Sequence, residues 1–367
     1  MEKKNEKTKS YPTNQDWNEN KMKIYLAGVG TNPETLEYEL MNNPIYRLYS
    51  YFDLKQGGRL KRIFEKMEKK LKHGKIFLDS GAFSAWTQKK ELNVYEYIDF
   101  IKEHKDVISV YANLDVIGDP DKTWKHQRIM EKKGLNPLPV FHFSDLILHG
   151  DKYLHKCMEY DYFCLGGMAR GYTQKQRNNF FNHCFSIICD TPDNKPSRKI
   201  HGFGLTNFLL LFKYPWFSVD STSWAMTAAL GSIMVPKKRN GKRVYDLMPF
   251  KICVSDKNFN SKKTKEHFLN LSPLLQKNIK EYVEEMGFKI GAAQFKTENN
   301  TYKLKEGERW NSFKDKDEAK RKVIIIEEEG ISNNTIQRAL INAYYFIALE
   351  KELNSRERIY IPNKGKL

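Results

Sequence analysis

From Lys23 onward, short and nearly unbroken apolar runs recur, each separated from the next by a longer polar stretch with helical spacing. No other feature limits the fold as tightly. The runs cover residues 24–29, 76–78, 107–114, 138–143, 162–165, 199–203, 216–219 and 250–254. A strand buried on both faces reads as continuous apolar sequence, and parallel strands need helical crossovers between them. About eight such units is the number that closes a (β/α)₈ barrel. The expected fold class is therefore α/β, a TIM-type barrel with a basic C-terminal extension and a disordered N-terminal tail. The clearest crossover helix is residues 55–72, with Leu60, Ile63, Phe64, Met67 and Leu71 at helical spacing. Residues 94–105, 122–133, 173–188 and 207–212 are expected to be helices as well.

Past Val235 the pattern changes. Residues 236–243 are basic and turn-rich, carrying Lys237, Lys238, Arg239, Lys242 and Arg243. A helix is expected over 264–286, a polar surface segment over 299–322, and a last helix from Ser332 to Leu353 with Ser332 as its N-cap. The domain reading is a flexible tail over 1–21, a barrel over 22–256, and a helical, basic C-terminal region over 257–367 packed on the barrel.

Composition narrows the function classes. The formal charge is +17, from 62 Lys and Arg against 45 Asp and Glu. Such a surplus raises affinity for polyanions and speeds encounter with them. Five scattered cysteines with no C-x-x-C pair fit small buried residues of a reducing compartment better than a disulfide framework or a zinc site. No apolar run reaches the ~18 residues of a spanning helix, and the polar start lacks the apolar centre of a signal peptide. No membrane association and a cytoplasmic location are the expectation, in the host cytoplasm if the chain is phage-encoded.

The ends of the apolar runs carry the chemistry. Residues 76–78 run into Asp79-Ser80-Gly81-Ala82-Phe83, and 110–114 run into Asp115. The run 138–141 ends at His142, 163–165 enter Gly166-Gly167-Met168-Ala169, 200–201 enter Gly202-Phe203-Gly204, and 216–219 enter Asp220. In a (β/α)₈ barrel the strand C-termini form the active-site face. One such Asp alone reads as a helix cap. Three carboxylates at a single barrel mouth are costly unless they have chemical work. Gly166-Gly167 lets a planar ligand lie on bare backbone, although a tight turn is the plainer reading of the pair. It is not a G-x-G-x-x-G dinucleotide fingerprint. His142 can serve a ligand carbonyl or be a satisfied structural histidine.

In this order the strand ends resemble the tRNA-guanine transglycosylase superfamily, and most closely its members that insert 7-deazaguanines into the DNA of phages and bacteria. The likeness runs from Lys23 to Met226. Leu26-Ala27-Gly28-Val29-Gly30-Thr31 is similar to the family's opening strand. Asp79-Ser80-Gly81-Ala82-Phe83 resembles its D-S-G-[GA]-[FY] motif, Gly166-Gly167-Met168-Ala169 its G-G-L-A turn and Gly202-Phe203-Gly204 its G-V-G turn. The last third of the chain has no counterpart. The zinc site C-x-C-x-x-C…H is missing, Val140-Phe141-His142 replaces V-Q-G, and Ser221-Thr222-Ser223-Trp224 replaces an arginine-bearing stretch. These departures touch tRNA docking and favour DNA.

The resemblance implies Asp220 as nucleophile and Asp79 as general acid/base. It implies a base-binding set of Asp115, Ser80, His142, Gly166, Gly167, Phe83, Phe203 and Gly202. Lys237, Lys238, Arg239, Lys242, Arg243 and Arg170 are the expected phosphate contacts. The implied partners are DNA and a free 7-deazaguanine such as 7-cyano-7-deazaguanine, with no metal or nucleotide cofactor. The competing readings are an RNA-directed transglycosylase, a non-catalytic nucleic-acid-binding barrel and a sugar hydrolase.

Overall fold

A computed structural model describes residues 21–28, 36, 40, 46–70, 76–167, 172–205, 207–256, 265–311 and 319–362. Of the tail expected over 1–21, residues 1–20 lie outside the described residues. Contacts divide the chain into two units, one of Met1–Asn32, Met41–Thr222 and Glu350–Leu367, the other of Pro33–Leu40 and Ser223–Leu349.

The first unit is a mixed α/β arrangement around one curled parallel sheet. Its strands are β1 (Lys23–Ala27), β2 (Tyr46–Ser50), β3 (Ile76–Asp79), β4 (Ile108–Tyr111), β5 (Val140–His142), β6 (Tyr162–Gly166), β7 (Lys199–Gly202) and β8 (Ser218–Ser221). They lie in the order β4-β3-β2-β1-β8-β7-β6-β5, every pair parallel. The two edges are linked by a parallel bridge between Ala112 and Leu138. There Asn113 N–H donates to the Leu138 carbonyl and Leu138 N–H to the Tyr111 carbonyl, both at 2.9 Å.

The helices between the strands are α1 (Tyr51–Gln56), α2 (Gly58–Lys70), α3 (Ala82–Thr87), α4 (Val94–Glu103), α5 (Pro120–Lys132), α6 (Phe143–His149), α7 (Lys152–Cys157), α8 (Gln174–Ile188) and α9 (Phe208–Lys213). The single helix expected over 55–72 is broken at Gly57, whose extended backbone separates α1 from α2. Two apolar layers sandwich the sheet. Tyr25, Leu48, Phe77, Val110, Val140, Cys164 and Phe217, contributed by strands or the residues beside them, fill the concave side. Ile76, Leu78 and Ile108 alternate with these and pack outward on Ile63, Phe64, Ile98 and Ile101 of the helices. Each such side chain is worth about 1.5–3 kcal/mol when buried.

One strand differs from the sequence expectation. The eighth member is β2, not residues 250–254. Its Arg47 hides the apolar pattern, yet this side chain is only 2% exposed, donates to the Leu26 carbonyl and lies over the Tyr49 ring at 5.2 Å. Residues 250–254 instead supply an antiparallel partner in the second unit.

The second unit combines helices with antiparallel strands, where a helical region was expected. It contains α10 (Ser223–Ala229), β9 (Ser232–Val235), the hairpin β10 (Lys237–Arg239) and β11 (Lys242–Val244), and β12 (Phe250–Cys253) paired antiparallel with β9. Asn240 and Gly241, at φ 52° and 76°, make the two-residue turn of the hairpin. A short 3₁₀ turn at Phe268–Asn270 precedes α11 (Pro273–Glu285), so the helix expected from 264 starts later. Then β13 (Ala292–Asn299), β14 (Glu308–Trp310) and β15 (Lys320–Glu328) form a sheet in the order β13-β15-β14. This sheet takes in residues 299, 308–310 and 320–322 of the segment expected as polar surface, of which 312–318 lie outside the described residues. The last helix, α12 (Thr335–Asn354), is capped by Asn334, whose Oδ1 accepts from Ile336 N–H at 2.9 Å; Ser332 is not the cap. The chain returns to the first unit at Glu350, which accepts Ile24 N–H at 2.6 Å.

Among the described residues no helix is long and apolar enough to cross a membrane.

Candidate active site

The sheet brings the strand-end acids to one face. β3 ends at Asp79, and the next turn needs Gly81 at φ 77°, because a Cβ there would sit on Ser50 Oγ and 2.5 Å from Phe52 Cβ. In this conformation Gly81 N–H donates to Asp79 Oδ2 at 3.0 Å. Burial, reinforced by the negative charges of Asp115 and Asp220, pushes the Asp79 carboxyl up to about 8. Asp79 therefore holds a proton at neutral pH. The influence of both other carboxylates also means that all three share one electrostatic neighbourhood.

Asp115 follows β4 and is held on both oxygens. Ser80 Oγ donates to Oδ1 at 2.5 Å, and His142 Nε2 lies 2.9 Å from Oδ2. His142 is gripped from its other side by Asp145 at the start of α6, which accepts His142 N–H at 3.0 Å and lies 3.5 Å from Nδ1. Burial favours the neutral imidazole, but the hydrogen bonds and charges of Asp115 and Asp145 outweigh it and lift His142 to about 10. His142 is thus an imidazolium that donates to Asp115. Ser80 and His142 act on the acid cluster through Asp115, and each Asp115 oxygen keeps a second lone pair for a ligand N–H.

Asp220, on β8, is 6% exposed. Gly204 N–H donates to Oδ1 at 2.7 Å, and His201 Nε2 lies 3.4 Å from the same oxygen. Among the described residues Oδ2 accepts no hydrogen bond. Behind Asp220 runs a buried chain that the sequence did not disclose. His201 Nδ1 is 2.6 Å from Ser218 Oγ, which is 2.5 Å from Tyr162 OH. Burial lowers the His201 pKa despite Asp220, so the ring is neutral. One proton order fits these contacts: Tyr162 O–H to Ser218, Ser218 O–H to His201 Nδ1, and the Nε2–H left facing Asp220 at 3.4 Å without a hydrogen bond of its own. Three adjacent strands, β6, β7 and β8, supply the members, which are far apart in sequence. His201 beside Gly202 was the only hint.

The glycines divide in role. A Cβ on Gly166 would lie 3.3 Å from the His142 ring, and one on Gly167, at φ 81°, 3.1 Å from His142 Cβ. Both keep backbone bare where His142 is seated. A Cβ on Gly202 would instead stand 2.9 Å from Trp216, so close packing on that indole requires glycine here. Phe203 is half-buried against Phe77 and His201, with ring centroids 5.9 and 4.7 Å away, and floors the cluster. Phe83 stands apart on α3, 38% exposed and 6.2 Å from the Trp86 ring.

The expected phosphate contacts fare differently. Lys237, Lys238, Arg239, Lys242 and Arg243 all lie on the β10–β11 hairpin, but most are engaged internally. Lys238 pairs with Glu281 at 2.7 Å, Arg239 with Asp246 at 3.1 Å, and Arg243 with Glu285 while lying over Tyr282. Lys237 stands over the Phe250 ring at 5.1 Å. Such exposed pairs are weak and leave these side chains able to exchange their partners for a phosphate. Arg170, Met168, Ala169, Val29, Gly30 and Thr31 lie outside the described residues.

No family model, curated protein or solved structure matches the chain.

Proposed function

We propose that the chain is a guanine transglycosylase built on a closed (β/α)₈ barrel, exchanging guanine in DNA for a 7-deazaguanine such as 7-cyano-7-deazaguanine. One observation carries the reading. The charge of Asp220, whose Oδ2 accepts no hydrogen bond among the described residues, helps hold the proton on Asp79 at the C-terminal ends of β8 and β3, with Asp115 beside them. Pairs of acids whose surroundings separate their roles are the working parts of glycosyl transfer.

In the proposed reaction Asp220 Oδ2 attacks C1′ of the target deoxyribose. The C1′–N9 bond breaks, its electron pair leaves with guanine, and Asp79 supplies the proton that neutralises the base. Asp79 is then a carboxylate. It takes the N9 proton of the incoming 7-deazaguanine, whose N9 attacks C1′ and frees Asp220. Protons and bonds balance, and Asp79 ends as it began. A group pushed up to about 8 suits this shuttle, because it both gives and takes a proton near neutral pH. Asp115 accepts from the N–H edge of the purine while Ser80 and His142 hold it still. The reaction calls for no metal or nucleotide cofactor, and the net charge of +17 favours encounter with a polyanion.

The test offers labelled 7-cyano-7-deazaguanine with either duplex DNA or tRNA. Label entering DNA, with an equal amount of guanine released and no exchange by Asp220→Ala, supports the proposal. Label entering tRNA alone moves the substrate to RNA, and label entering neither rejects base exchange.

A further inference from the structure

Asp115 also lines a cavity of about 730 Å³ that adjoins the acid cluster. This is the size range of small-ligand sites. Ala82 and Ala85 of α3, with Leu92 and Leu114, give it an apolar floor. Trp86 forms a wall and is 60% exposed, with the partly exposed Phe83 ring 6.2 Å away. Two large aromatic side chains facing water on one short helix provide a stacking platform.

The rim is cationic. Lys89, Lys90 and Lys122 face Glu91 and Asp115. Lys122 lies 3.4 Å from Glu91, whose side chain is 91% exposed. Such an exposed pair is weak and exchanges readily for a phosphate. Lys90 donates to Gln56 at 2.8 Å. Lys89 has no ion-pair partner among the described residues. Its backbone is left-handed at φ 53°, a conformation that non-glycine residues rarely adopt and that clusters at binding sites. At the back, His126 Nδ1 is 2.7 Å from the Leu114 carbonyl. A carbonyl only accepts, so Nδ1 holds the proton and Nε2 is left as an acceptor.

We propose that this cavity is a flanking-nucleotide subsite for single-stranded DNA, with the base beside the target guanine stacked on Trp86 and its phosphate held by Lys89 and Lys122. The inference rests on the proposed function in taking DNA as substrate. A guanine extruded for chemistry leaves its neighbours unstacked. An exposed indole next to the reaction site returns a stacking surface, and it accepts any base because every base has a π-face. The lysines supply the electrostatic part.

The test is fluorescence anisotropy of a labelled ten-nucleotide single-stranded DNA against the full chain over a range of salt. Trp86→Ala is expected to weaken binding about 5- to 150-fold, the span of one base–aromatic stack, while Trp86→Phe stays within about 5-fold of the parent. Trp86 is exposed, so neither change disturbs the core. Lys89→Ala/Lys122→Ala is expected to reduce the salt slope by about 1.4, at ~0.7 per contact on a single strand. Equal binding by Trp86→Ala with an unchanged salt slope in the lysine variant overturns the subsite, as does binding to RNA alone. The base-exchange assay keeps the two proposals separate. Exchange whose KM ignores Trp86 sinks the subsite only, and Trp86-dependent binding without exchange sinks the reaction only.

Discussion

Replacing Asp79 by Asn should stabilise the fold while abolishing activity, and the size of the gain follows from the site. In the folded chain Asp79 keeps its proton up to about 8, whereas an unfolded carboxyl releases it near 3.8. Between these values the folded state binds a proton that the unfolded state lacks, so stability falls as pH rises from 3.8 to about 8. By pH 7 about three pH units have been crossed, each worth 1.36 kcal/mol, for a loss of at most about 4 kcal/mol. Asn has the same shape, can still accept Gly81 N–H and has no charge to desolvate. Urea unfolding of parent and variant across pH 4.5 to 9 measures the difference. The expected gain is under about 1 kcal/mol at pH 4.5, rises by ~1.4 kcal/mol per pH unit, reaches about 4 kcal/mol near pH 7 and levels off above pH 8. A gain independent of pH, or a loss, would refute the view that burial and like charge hold the proton on Asp79. Retained base exchange by the variant would remove its role as the acid.

The remaining predictions concern the reaction. Exchange by the parent should fall as pH rises through about 8, where Asp79 loses its proton, and Asp115→Asn should move that limb to lower pH by deleting one of the charges that raise it. A limb that stays in place after Asp115→Asn would argue that another group titrates. His201→Leu removes the buried ring next to Asp220; kcat should drop by about 10²-fold with little change in KM, the consequence of a misaligned nucleophile. A KM effect alone would place His201 in substrate binding.

Much of the sheet was legible because seven of its strands are apolar runs, and because parallel strands buried on both faces tolerate little else. β2 escaped detection because Arg47 interrupts its run. Its guanidinium is held by the Leu26 carbonyl of the neighbouring strand and lies over the Tyr49 ring of its own strand. Residues 250–254 looked equally suitable, since a short apolar run does not say which sheet it will join. Asp79, Asp115 and Asp220 stood out as a set of acids at strand ends, where one Asp alone reads as a helix cap. The residues that set their behaviour were not visible. Asp145 grips His142 from the next helix, and Tyr162, Ser218 and His201 meet only because β6, β7 and β8 are adjacent. The hairpin lysines and arginines show the converse. Their charge is read from sequence, but their partners Glu281, Asp246 and Glu285 come from the fold.

The most direct test of the central claim is mass spectrometry of the protein quenched in denaturant during turnover with DNA and no incoming base. The account predicts a DNA adduct on the peptide that contains Asp220, discharged when 7-cyano-7-deazaguanine is added and absent from Asp220→Ala. An adduct on another residue, or base exchange proceeding at full rate in Asp220→Ala, would contradict it.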